Sequence, residues 1–314
     1  MKEIIKYYYN FDIEVIKDFN NCSTFNYNGE DFYFVFFNRT IDELNDLVKI
    51  SAELKNKGIR VHDFILNREN KLLTKVGKNN YILLKLNTRY NEVISFIFIV
   101  ELNNKLKLNQ KNSQLYRNNW GELWSSKIDY FEYQIKEIGK DKRIVLDSFS
   151  YYIGLAENAI SYVNKINEVI KISEFDNVTL AHRRIFNPNI ALNYLNPLSF
   201  IFDLEVRDVA EYLKIEFFNN QDSLLDLKTY LKIKKLTVYS YHMLYARLIY
   251  PSYYFDIYED IMNNNGDEEQ LIKIIDKVDE YEIFLKKAYF EISKYTTLEH
   301  IDWLLKKESN DSFK

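Results

Sequence analysis

The period at which apolar residues recur changes once along the chain, and this change most constrains the fold. Through about residue 88, short aromatic and β-branched runs alternate with turn residues, as expected of strands. Beyond that point most apolar residues recur every three or four positions, as in helices that bury one face. With 314 residues the chain is long enough for two domains. We therefore predict an α+β protein with a small β-rich domain at residues 1–88 and a large helical domain at residues 89–314.

The small domain is predicted to hold five strands and one helix in the order β-β-α-β-β-β. Asn28 and Gly29 favour a two-residue hairpin turn before the aromatic run at residues 32–37. Thr40 and Glu43 then form a capping-box pattern, and apolar residues follow it at helical spacing. Further strands are predicted at residues 59–66, 71–76 and 81–86.

The large domain is predicted to be helical apart from one β-rich patch. Its first helices are expected at residues 93–102, 120–138 and 152–172. Periodicity alone leaves the first of these open between a buried strand and a helix, and we favour the helix. The β-rich patch covers residues 178–186 and 199–203. Asp208 and Glu211 are then predicted to cap the next helix, and most of the remaining chain is expected to be helical.

Composition excludes several classes of protein and partner. The longest apolar runs, around residues 93–100, are far shorter than the ~20 residues of a membrane span. We expect no membrane insertion, and the first residues lack the apolar core of a secretory signal, which favours synthesis in the cytoplasm. Formal net charge is −4 and no basic block lies among aromatics, so we expect no nucleic-acid partner. No glycine-rich phosphate-binding loop is present among the 7 glycines.

One loop of the large domain combines four polar residues at a recognisable spacing. His182 is followed by Arg184 and Asn189, and Asp203 ends an apolar run 14 residues beyond Asn189. This spacing resembles the His-x-Asp-x-x-x-x-Asn catalytic loop and later metal-binding Asp of the aminoglycoside phosphotransferase and choline kinase superfamily. The resemblance implies a bilobal protein-kinase-like fold with residues 180–208 as a degenerate catalytic loop.

The loop departs from that pattern at the position of the catalytic aspartate, where this chain has Arg184. An aspartate there accepts or orients the proton of the substrate hydroxyl, and a guanidinium cannot accept it. The aromatic strand at residues 32–37 also lacks the lysine that would reach the nucleotide phosphates. We therefore expect no catalytic residue and no phosphoryl transfer.

Three segments carry a closer resemblance. Residues 147–160, 196–212 and 244–251 together resemble the YutH-type endospore coat-associated proteins, which lie beside the CotS-type coat proteins within the same superfamily. The resemblance implies synthesis in the mother cell of an endospore-forming bacterium and deposition on the forespore as part of the spore coat. It also implies other coat proteins as partners, and self-association stays open.

The loop residues have both structural and binding interpretations. The resemblance implies that Asn189 and Asp203 are vestigial cofactor-binding positions, with His182 and Arg184 in the same loop. Asn189, which follows Pro188, is alternatively a turn residue. His182 either organises the loop or is a buried histidine bonded to backbone. Asp203 either contacts a metal or nucleotide or pairs with an arginine, the candidates being Arg183, Arg184 and Arg207. We expect no cofactor and no metal site, with ATP and Mg²⁺ as the alternative.

Two other functions remain open. The chain could be a small-molecule phosphotransferase that uses Asp203 or Glu205 as its base, or a pseudokinase that binds ATP without transferring phosphate. A tyrosine-rich stripe in the last third of the chain is expected to form helix core, or alternatively a partner surface. The stripe comprises Tyr239, Tyr241, Tyr245, Tyr250, Tyr253, Tyr254, Phe255 and Tyr258.

Overall fold

The computed structural model describes residues 1–19, 22–87, 95–105, 113–185, 194–263 and 266–306. The chain divides into two compact units. The first contains residues 1–94, 112–115 and 182–201, and the second contains residues 95–111, 116–181 and 202–314. The domain bounds at residues 1–88 and 89–314 stay a prediction.

The first unit is built on an antiparallel sheet in the order β1-β2-β3-β6-β4, with β5 also paired to β6. Side chains alternate across β3, so that Phe32 and Phe34 are buried on one face. Phe34 lies opposite Leu83 of β6, which is also buried. The strands are β1 (Ile16–Phe19), β2 (Cys22–Tyr27), β3 (Glu30–Phe37), β4 (Asp63–Ile65), β5 (Leu73–Val76) and β6 (Asn79–Lys85).

Among the described residues of the first unit, two α-helices accompany this sheet. Helix α1 (Lys2–Tyr9), which the sequence analysis did not predict, buries Ile5 and Tyr9 beside the β-sheet aromatics. Helix α2 (Ile41–Asn56) begins after Thr40, whose hydroxyl accepts the Glu43 N–H while the Glu43 carboxylate accepts the Thr40 N–H. The predicted capping box is therefore confirmed, because both of its reciprocal hydrogen bonds form.

The second unit is mainly helical. Strands β7 (Val178–His182) and β8 (Phe200–Leu204), most of whose residues belong to this unit, pair in a two-stranded sheet. The longer helices are α3 (Phe96–Lys105), α4 (Trp120–Ile138), α5 (Arg143–Val169), α6 (Val206–Phe218), α7 (Ser223–Ile233), α8 (Val238–Ile249), α9 (Ser252–Met262) and α11 (Val278–Ile292). Two short helices are α10 (Ile272–Ile275) and α12 (Asp302–Lys306).

The predicted helix cap at Asp208 is wrong. Helix α6 begins at Val206, and Asp208 lies inside its first turn rather than before it. A carboxylate in the first turn still interacts favourably with the positive end of the helix dipole. Asp208 can therefore stabilise α6 from this position without being its cap. The predicted helix at residues 93–102 is confirmed by α3 over the part that is described.

The tyrosine-rich stripe forms core. Seven of its eight members are buried, and the ring of Tyr254 stacks on Tyr152 of α5 with centroids 3.8 Å apart. Buried aromatics of this kind hold α5, α8 and α9 together and are unavailable to a partner. Among the described residues, no helix combines the length and hydropathy needed to cross a bilayer.

Candidate functional site

The aspartate at the end of β8 lies in a closed ion cluster of the second unit. Asp203 is fully buried, and its Oδ2 accepts hydrogen bonds from Arg247 Nη2 at 2.7 Å and Arg207 Nη1 at 3.2 Å. Its Oδ1 accepts the N–H of Leu204 at 2.7 Å. Arg207 is one of the three partners predicted for Asp203 from the sequence, and Arg247 is not.

Local geometry explains how the two arginines reach one carboxylate. Arg207 follows Asp203 by four residues and is the second residue of α6, so it lies close to the end of β8. Arg247 comes from α8, which packs against α6. Both guanidinium carbons lie 4.4 Å from the centre of the Trp120 ring at the start of α4. Such cation–π contacts are worth roughly 0.5 to 2 kcal/mol each, and more when desolvated.

Arg207 keeps its charge at neutral pH. Burial, followed by repulsion from Arg247, lowers the pKa of Arg207 to about 10, while Asp203 acts in the opposite direction. A group with that pKa remains protonated at pH 7. Asp203 is therefore surrounded by two cations, each with almost no exposed side-chain surface.

A second ion pair continues from the first along α6. Lys214 Nζ donates to Glu211 at 2.9 Å, to the backbone oxygen of Arg247 at 3.0 Å and to Ser252 Oγ at 2.5 Å. Burial raises the pKa of Glu211, but Lys214, Ser252 and Arg207 outweigh it and hold this pKa at about 2. These contacts fix α6 to α8 and to the first turn of α9.

The alternative base, Glu205, also has partners for both carboxylate oxygens. One accepts a hydrogen bond from Lys234 at 2.6 Å and the other from Asn177 at 2.9 Å. Its side chain is 2% exposed. A general base needs a lone pair within reach of a substrate proton, and this arrangement leaves Glu205 as part of a buried ion pair.

The histidine of the loop belongs to the first unit and has a backbone partner. His182 is buried, and its Nε2 lies 2.6 Å from the backbone oxygen of Tyr194. A carbonyl oxygen can only accept a hydrogen bond, so His182 Nε2 is the donor in this contact. The imidazole also stacks on the Tyr194 ring at 4.1 Å and meets Phe200 edge-on. These contacts join the end of β7 to Tyr194 and to the start of β8.

The remaining loop positions are only partly described. Arg184 is half-buried in the first unit, and Asn189 lies outside the described residues. The strand immediately before α2, β3, contains no lysine. His182 and Arg184 lie in the first unit, and Asp203 lies in the second.

The geometry around Asp203 suits charge neutralisation better than metal binding. Mg²⁺ requires oxygen ligands with lone pairs directed at the ion, and it is repelled by neighbouring cations. Asp203 Oδ2 already accepts from two guanidinium groups, so the arrangement does not fit Mg²⁺. Within the described ranges, no three His, Cys, Asp or Glu side chains form a group able to hold a metal ion.

Comparison with protein families gives one match that spans most of the chain. A family model described as "Spore coat putative kinase YutH" matches residues 2–288. The endospore coat-associated protein YutH of Bacillus subtilis (strain 168) is 33% identical over 190 residues. That alignment covers 54% of this chain and 55% of the relative, so the match spans about half the length of that curated protein.

Solved structures share the architecture at low sequence identity. An aminoglycoside phosphotransferase from Alicyclobacillus acidocaldarius superposes with a TM-score of 0.58 and 10% identity, covering 90% of this chain and 93% of the other. A spectinomycin phosphotransferase solved with ADP and spectinomycin has a TM-score of 0.58 and 14% identity, covering 92% and 97%. At these identities the likeness concerns the fold alone. The predicted kinase-like α+β fold is confirmed.

Proposed function

Because this chain belongs to the spore coat putative kinase YutH family, we propose that it is a coat-associated protein with a kinase-like fold and no phosphotransferase activity. Its role would be structural: it would help to assemble or hold other components of the endospore coat. The proposal includes synthesis in the mother cell followed by deposition on the forespore.

The observation that most supports the proposed lack of phosphotransferase activity is the pairing of Asp203 with two buried arginines. In kinase-like enzymes the transferred phosphoryl group is stabilised mainly by positioning and by metal ions held on carboxylates. Here the carboxylate at the corresponding position, Asp203, already accepts hydrogen bonds from two arginines. Arg184, which stands at the position of the catalytic aspartate, supports the same conclusion independently.

The coat assignment is supported by the relatives. The family description refers to the spore coat, and the Bacillus subtilis relative is named an endospore coat-associated protein. A fluorescent fusion followed through sporulation tests this assignment. We expect a signal that gathers around the forespore and stays with the released spore. A diffuse signal confined to vegetative cells would contradict it.

Nucleotide binding can be tested separately by thermal unfolding with ATP, with and without Mg²⁺. A ligand that binds the native state at 100 times its Kd stabilises it by about 2.7 kcal/mol, which is a readily measured shift in Tm. We expect no shift at millimolar ATP under either condition. A shift that requires Mg²⁺ would support the phosphotransferase alternative, and a shift with ATP alone would support an ATP-binding pseudokinase.

A further inference from the structure

Two open grooves on the second unit carry opposite charge. One, of about 260 Å³, lies between α7 and the end of α11 and is lined by three lysines and one glutamate, a formal charge of +2. The other, of about 410 Å³, lies between α4 and α5 and is lined by three acidic residues and one lysine, a formal charge of −2. We name them the basic groove, with Lys228, Lys232, Glu291 and Lys294, and the acidic groove, with Asp129, Glu157, Lys165 and Glu168.

The basic groove has more positive charge than its own residues neutralise. Glu291 pairs with Lys294 at 2.6 Å and with Lys228 at 3.6 Å, so one carboxylate serves two ammonium groups. Lys232 lies one turn after Lys228 on α7, where like charges repel. Lys232 forms no ion pair with any residue that the structure describes. An anionic group placed here would relieve this repulsion.

The acidic groove has an excess of negative charge. Asp129, Glu157 and Glu168 are exposed, and none of them forms an ion pair within the described parts of the chain. The one cation of this groove, Lys165, pairs instead with Glu299 at 3.2 Å. The three carboxylates therefore face solvent without an ion-pair partner among the described residues.

Each groove also offers apolar surface beside its charges. In the basic groove this surface comes from Tyr295, which is 45% exposed, and in the acidic groove from the half-buried Ile160. Leu231 and Ile128, which also line the grooves, are buried. Complementary charge gives orientation and rapid association, whereas apolar contact supplies most of the lasting affinity. Both grooves therefore combine charged side chains with apolar surface.

We propose that the basic groove of one copy of this chain docks on the acidic groove of a second copy. A single chain supplies both surfaces with equal and opposite formal charge, which favours a second copy over an unrelated partner. Such a contact joins different surfaces of the two copies, so repetition produces a closed ring or an open filament. The proposal is independent of the coat assignment and of the absence of catalysis.

Sedimentation velocity at two salt concentrations provides the first test. The Debye length is about 30 Å at 10 mM ionic strength and about 3 Å at 1 M, so exposed charges attract each other across the contact only at low salt. We expect species larger than the monomer at low salt and an association constant at least about tenfold weaker at 1 M. A protein that stays monomeric at both salt concentrations would overturn the proposal.

A charge-swap experiment identifies the surfaces. The variant Lys228→Glu/Lys232→Glu reverses the basic groove, and Asp129→Lys/Glu157→Lys reverses the acidic groove. We expect each variant alone to be monomeric at low salt. An equimolar mixture should associate again, because the intact basic groove of the second variant meets the intact acidic groove of the first. Circular dichroism of each variant confirms that it is folded.

A matched control separates groove charge from net charge. The variant Lys136→Glu/Lys140→Glu changes the net charge by the same amount as the basic-groove variant, at exposed positions outside both grooves. We expect it to associate like the wild type. Loss of association in this control, or a mixture of the two groove variants that stays monomeric, would contradict the assignment of the surfaces.

Discussion

Arg247 Nη2 lies 2.7 Å from Asp203 Oδ2, and both side chains are about 1% exposed. The two residues are 44 positions apart in sequence, so this ion pair joins α8 to the end of β8 across the core of the second unit. A buried pair adds little stability compared with a well-packed apolar pair, but removing one member leaves an uncompensated charge. Asp203 has Arg207 as a second cation, so the loss of Arg247 removes one of its two charged partners.

We predict that Arg247→Met destabilises the protein by about 1.5 to 3 kcal/mol, because Asp203 loses one charged hydrogen-bond donor and keeps Arg207 as its remaining cation. Urea unfolding followed by circular dichroism measures the change. Arg143→Met is the matched control, since Arg143 is 94% exposed and lies 3.9 Å from Asp147. The control should change stability by less than about 0.5 kcal/mol.

The coupling between the two residues is tested by adding Asp203→Asn to Arg247→Met. If the ion pair is responsible, the double variant loses less stability than the sum of the two single changes. Strict additivity of the two losses would contradict the pairing as the source of the effect.

We predict that Glu211 makes stability depend on acid. Its pKa is about 2 in the folded protein against an ordinary value of 4.5. The folded state thus binds this proton less readily than the unfolded state, and the resulting stabilisation is present above about pH 4.5 and lost as pH falls towards 2. A depression of this size is worth about 3 kcal/mol in full.

Glu211→Gln removes the titrating group. Urea unfolding of the wild type and this variant between about pH 6 and pH 3 should show a gap in stability that narrows as the solution becomes more acidic. Glu137→Gln, at an exposed position of α4, should follow the wild type throughout. A gap between wild type and Glu211→Gln that stays constant with pH would contradict the depressed pKa.

We predict that Glu268 stabilises the start of α5 from outside the helix. Its carboxylate accepts the N–H of Ile144 at 2.7 Å and that of Val145 at 3.2 Å, two donors that have no partner within the helix itself. Glu268→Ala should therefore cost about 1 kcal/mol, the usual effect of losing a helix cap.

The neighbouring Glu269 provides the control for this prediction because its side chain is exposed. Glu269→Ala should leave the free energy of unfolding within about 0.5 kcal/mol of the wild type. Equal losses in the two variants would show that the general acidity of the loop, rather than the bond to α5, is responsible.

Local patterns in the sequence predicted the elements whose signals are local. The helix expected at residues 120–138 has those bounds as α4, and the capping box of Thr40 and Glu43 forms as expected. Helix α1 was missed because only eight residues, rich in lysine and tyrosine, support it. Much of its stability comes from packing Ile5 and Tyr9 in the core of the first unit, which no local pattern reveals.

The candidate site was predicted only in part for the same reason. Asp203 and Arg207 are only four residues apart in sequence, so the sequence could suggest their pairing. Arg247 and Trp120 approach Asp203 and Arg207 only through the packing of α4, α6 and α8. Asp208 and Glu211 matched a capping pattern by spacing, but α6 had already begun at Val206.

Phosphoryl transfer itself tests the central claim most directly. Purified protein incubated with ATP and Mg²⁺ can be assayed for ADP release, alone and with aminoglycoside or amino-alcohol acceptors, beside Asp203→Asn and Arg184→Ala variants that have been checked for folding. We predict no ADP release above that of protein-free buffer in any sample. Turnover by the wild type that disappears in Asp203→Asn would contradict the account, because it would assign Asp203 a catalytic role.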